Sequence, residues 1–192
     1  MTEEKLLTSL MILSTKKQLA FGLLIIQRML PDLIAFSNET GFEDSCYLQT
    51  KDAAWRAIEG APIDKMLGEL CIRNAPDTEE YANTLTSYAL NTTLAISDIV
   101  KFCGDGQLTH ITSIVSLAHD SVDLYLSTLE PSPISSPFGA EDNQHPLMQK
   151  ERQQEREDIE FLSNLPNDMD GEAIAVLKGR ATLQNPLLPL SS

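Results

Sequence analysis

Strand signals are nearly missing from this sequence. Few runs alternate β-branched with polar residues, and no Asn-Gly or Asp-Gly pair joins two such runs as a hairpin turn would. A glycine-rich phosphate loop is missing as well: neither GxGxxG nor GxxxxGK(S/T) occurs, which disfavours nucleotide hydrolysis of the usual kinds. GxSxG is also absent, and with it the usual strand-to-helix serine nucleophile. Cysteine is scarce and odd in number, with Cys46, Cys71 and Cys103 far apart and no CxxC, so the reading is free thiols in a reducing, cytosolic compartment. The only histidines are His110, His119 and His145, and none of them completes a Glu-x-x-His pair of the kind that binds two metals in a helical bundle. His119 and Asp123 stand one turn apart but have no third partner in sequence. No cofactor and no metal site is expected. Long apolar runs are lacking too: "LAFGLLII" (19–26) stops at Gln27 and Arg28, well short of the about 20 residues of a membrane span. The opening "MTEEKLLTSL" has no basic region of the signal-peptide kind.

What is present is acid. Twenty-eight acidic residues against 14 basic ones give a net charge of -14. A surface of that sign repels phosphate backbones and anionic lipids, so neither nucleic acid nor a membrane is an expected partner.

Helical spacing fills the rest. The expected fold class is all-α, a single bundle of six to eight helices with a long central antiparallel hairpin, over residues 1–165. A short helix near 3–12 comes first. Thr15, with Gln18 three residues on, reads as a capping box for a helix over 16–30. Pro31 then suits the first turn of a new helix that Gly41 ends, which makes a proline corner. Asp44 is placed to cap a helix over 45–58, and "IDKMLGELCIRN" (63–74) shows a clean apolar face. Two long helices follow, one from Asp77 or Thr78 to Cys103, the other over 107–129, joined at "GDG" (104–106). Folding back there sets Ala89 against Val122, Ile96 against Val115, and Thr92 against His119. His119 is therefore expected to face Thr92 or Asn91 in a structural role; the competing reading is a proton-transfer group oriented by Asp98 or Asp123. "EPSPISSPFGAEDNQHP" (130–146) has no period and reads as a mobile loop. A charged helix over 147–165 carries a thin apolar line at Met148, Ile159 and Leu162, and the acids of "EDIE" (157–160) read as a solvated face. Residues 166–192 read as a tail with one short helix near 171–183.

No residues stand out as catalytic. Cys71, on an apolar face, and Cys103, at a helix end, read as small hydrophobes rather than nucleophiles. Phe42, Tyr47 and Trp55 are the candidate ligand-binding residues, with core packing as the plainer reading. The leading functional expectation is a non-enzymatic interaction or scaffold protein, with a protein partner or self-association. The alternative is a small-molecule-binding module or enzyme with its pocket at the aromatic corner.

The stretch "QRMLPDLIAFSNETGFED" (27–44), with Arg28, Met29, Pro31, Phe36, Thr40, Gly41 and Phe42, resembles the YjaG-like bacterial proteins, a family grouped under a domain of unknown function. The likeness continues through Trp55, 89–100 and 145–154, and covers about residues 5–165. It implies a bacterial, all-helical, cytosolic protein and brings no known activity or site residues.

Overall fold

In a computed structural model of the chain, residues 3–129 and 145–189 are described. They form eight helices: α1 (Glu3–Ile12), α2 (Thr15–Thr40), α3 (Ser45–Ile58), α4 (Met66–Arg73), α5 (Thr86–Asp105), α6 (Leu108–Leu129), α7 (Pro146–Asn164) and α8 (Gly171–Thr182). No strand occurs among the described residues, as the all-α expectation has it. The expected loop over 130–146 lies outside them except for its last two residues.

The hairpin of α5 and α6 is the centre, and α2 packs across both. Gly106 turns the chain in the left-handed region (φ 67°), where its missing side chain avoids strain. The fold-back register holds to within a residue: Ser113 donates to Asp98 at 2.6 Å, and Asn91 to Ser121 at 3.0 Å. Around this centre α4 covers α5, α3 sits on α2 and α5, and α7 lies on α2 and α6.

The proline corner is not there. α2 runs unbroken for 26 residues with Pro31 inside it. An internal proline removes one helical hydrogen bond and crowds the carbonyl four residues back, at a cost of about 3 kcal/mol. Burial on both sides outweighs this, since Ile25, Ile26 and Met29 before it and Leu33 and Phe36 after it are fully enclosed. One residue beyond the carbonyl that Pro31 leaves without its N–H, the Arg28 carbonyl accepts the N–H of Leu187 at 2.9 Å. By length and composition α2 could cross a membrane, but 78% of its most apolar stretch is buried inside the bundle.

Other boundaries move for local reasons. Ser14, not Thr15, holds the N-cap position of α2, and Gln18 reaches back to the carbonyls of Leu10 and Leu13 instead of closing a capping box. α4 begins only at Met66, whose N–H bonds to the Asp64 side chain. α5 begins at Thr86, because Asp77 and Asn83 take the N–H groups of Glu79 and Leu85 into side-chain turns. Asx side chains compete with the helix for those donors. The segment after 165 packs closely on the bundle: α8 buries Ile174 and Leu177, and Leu187 and Leu188 are buried beyond it.

Candidate functional site

The densest polar chemistry lies where α7 and α8 meet α2. Along α7, Met148, Glu151, Glu155, Asp158 and Leu162 are buried. Their spacing of three and four residues puts all five on one helix face. The charged face of this helix therefore points inward in its middle, where Asp158 was expected to be solvated. The apolar residues close the two ends.

Arg28 of α2 meets that face. Its Nε lies 3.1 Å from Glu151 Oε2 and its Nη2 2.5 Å from Glu151 Oε1, a two-pronged contact. Nη1 donates to Asp158 Oδ2 at 2.7 Å and to Gln184 Oε1 at 3.2 Å. Asp158 also accepts from Arg180 Nε at 2.8 Å and from Gln184 Nε2 at 3.2 Å. Phe161 stacks on the Arg180 guanidinium, 4.7 Å from ring centroid to Cζ. Burial works against the charge of Arg28, yet Glu151 and Asp158 hold its guanidinium above the ordinary range. Burial pushes Glu151 upward, and Arg28 pulls it partly back.

His119 belongs to this system and not to the hairpin seam. Its Nε2 lies 2.7 Å from Glu155 Oε1, on α7. The expected partner, Thr92, turns to α2 and donates to the Met29 carbonyl at 3.3 Å, while Asn91 donates to Ser121. The register was right; the face was not, because the imidazole sits at the edge of α6 that α7 covers. Asp98 binds Lys101 and Ser113 instead. Lys17, also buried, donates to the Leu165 carbonyl at 2.6 Å and so closes the C-terminal end of α7.

Chemically, this arrangement is closed upon itself. Three carboxylates face two guanidiniums and one imidazole, and the C-terminal residues cover them. Beside Arg28 and Glu151 there is a cleft of only about 10 Å³, closed by Pro186 and Leu187, about the room of one water. Among the described residues no group of three or more His, Cys, Asp or Glu side chains is placed to hold a metal ion. Burial raises the Cys71 and Cys103 thiols to about 11, far from nucleophilic thiolates at neutral pH.

The aromatic candidates part company. Phe42 and Tyr47 stack at 5.8 Å in a cluster with Phe36 and Tyr81, and Tyr47 is fully buried, donating to the Asn74 carbonyl at 2.5 Å. Trp55 lies elsewhere, in the wall of a groove between α2, α3 and α8.

A family model for a protein of unknown function, DUF416, matches residues 5–185. The chain belongs to the DUF416 family. The match includes α7, α8 and Gln184, and ends just before Pro186 and Leu187. The crystal structure of a DUF416 family protein from Shewanella baltica OS155 superposes with a TM-score of 0.80 at 17% identity, over 92% of each chain. At that identity the likeness carries the fold alone. Comparison with curated proteins finds no match.

The Arg28 cluster was missed in the sequence. Its signal was present: acids at 151, 155 and 158 continue the three-four spacing of Met148 and Leu162, and Arg28 interrupts an apolar helix.

Proposed function

We propose that this DUF416 chain is a cytosolic interaction or scaffold protein of the YjaG-like branch, which acts by holding a protein partner and not by catalysis. The likeness of residues 27–44 to that branch supports its place there. The carrying observation is on α1. Leu6, Leu10 and Leu13 seal this helix to the core, while Leu7, Met11 and Ile12 project outward, the last two 69% and 81% exposed. Apolar side chains grouped on an outer face mark contact surfaces. The ionisable groups of the α7 cluster are committed to one another, which leaves them little freedom for proton transfer. The charge of -14 speaks against nucleic acid and anionic membranes as the partner.

The test compares the chain with a Met11→Glu/Ile12→Glu variant after crosslinking in the native cell. Both should be equally helical. The unchanged chain should recover a protein, or a second copy of itself, that the variant loses. Identical recovery by both would refute the reading.

A further inference from the structure

The groove beside Trp55 has a volume of about 410 Å³, which suits a small organic ligand. Gln27 of α2, Asp52, Trp55 and Arg56 of α3, and Lys178, Ala181 and Thr182 of α8 line it. Two of its charges are already engaged: Lys178 pairs with Glu59, and Asp52 with Lys51 at 2.9 Å. Arg56 and Gln27 differ. Neither side chain has a hydrogen-bond or ion-pair partner among the described residues. A guanidinium and an amide therefore converge, unspent, on an open cavity with an indole in its wall. The lining carries two cations against one acid, on a chain of net charge -14. Such a local reversal of sign draws an anion to this place and no cation.

We propose that this groove binds a small organic carboxylate. Arg56 receives the carboxylate, whose planar pair of oxygens matches the guanidinium fork. The Gln27 amide donates from the α2 side. The apolar or aromatic body of the ligand lies against Trp55 and Ala181. The site is separate from the outer face of α1, so either reading can fail without the other.

Trp55 is the only tryptophan in the chain, and its fluorescence reports on this groove alone. The full chain is titrated with benzoate, with inorganic phosphate and with benzylamine. Benzoate should give a saturable change in Trp55 emission, benzylamine none, and phosphate only weak binding. Arg56→Gln, a surface change that leaves the circular dichroism as it was, should weaken benzoate roughly tenfold, the loss of one charge-assisted hydrogen-bonded contact. The proposal is overturned by the absence of a saturable response to benzoate, by equal affinity in Arg56→Gln, or by phosphate or benzylamine binding as tightly as benzoate.

Discussion

Asp32 carries the most expensive single carboxylate in the fold. It follows Pro31 in α2, is 1% exposed, and neither of its oxygens has a hydrogen-bond partner among the described residues. Burial raises its pKa from 3.8 to about 8. The titratable group beside it is Tyr88, which burial also pushes upward, with a smaller push from Asp32 itself. Between about pH 4 and pH 8 the native chain keeps a proton that the unfolded chain has released. Asp32 therefore lowers stability as pH rises through that window, by about 1.4 kcal/mol per pH unit at the steepest, and the loss levels off above it. Asp32→Asn should remove this slope, so denaturant melts at pH 5 and pH 8 should separate the two proteins more at the higher pH. A constant difference would mean that Asp32 is solvated or paired. Nothing in the sequence marks this residue, because an acid after a helical proline is ordinarily a first-turn residue facing water. Only the continuation of α2 through Pro31 carries it inside.

At the scale of elements, helices were legible wherever burial followed apolar spacing. α1, α3, α6 and α8 fall close to where the spacing put them, and so does the α5–α6 hairpin. α2 was not, since local proline chemistry suggests a corner and only tertiary burial holds the helix straight through it. α7 was placed well, with Met148 and Leu162 inside and Glu157 and Glu160 outside as read, but Asp158 was put on the wrong side: a charged residue counts as solvent-facing unless its partner, 123 residues away in the chain for Arg28 and Glu151, is known. Close packing at the centre makes its own prediction. A Cβ on Gly22 of α2 would lie 2.7 Å from Ile99 Cδ1 and 3.1 Å from Ile111 Cδ1. These are the far ends of flexible side chains, so Gly22→Ala should be tolerated with small shifts. Gly22→Leu should cost about 1–3 kcal/mol by overpacking, read from the midpoint of urea unfolding. Equal stability of the leucine variant would show the α2–α5–α6 contact to be looser than described.

For the whole molecule, the buried cluster explains how α7 and α8 are held to a core they barely match in apolar surface. Isolated buried charges are costly, and a pair is tolerated only when its geometry and hydrogen bonds are nearly complete, as they are around Arg28. The cluster fixes where the last two helices dock, and so shapes the groove beside Trp55, whose α8 wall begins at Lys178. The direct test of this lock is equilibrium unfolding of two variants, Arg28→Met alone and Arg28→Met/Glu151→Leu/Asp158→Leu together. The single change strands the buried Glu151 carboxylate and leaves Asp158 with Arg180 and Gln184, and should cost about 3–5 kcal/mol. The triple change removes both buried carboxylates, leaves the partly exposed Arg180 stacked on Phe161, and should recover most of that loss, with helicity unchanged. If Arg28→Met is as stable as the unchanged chain, or if the triple variant is the less stable of the two, the cluster is not the lock that places α7 and α8.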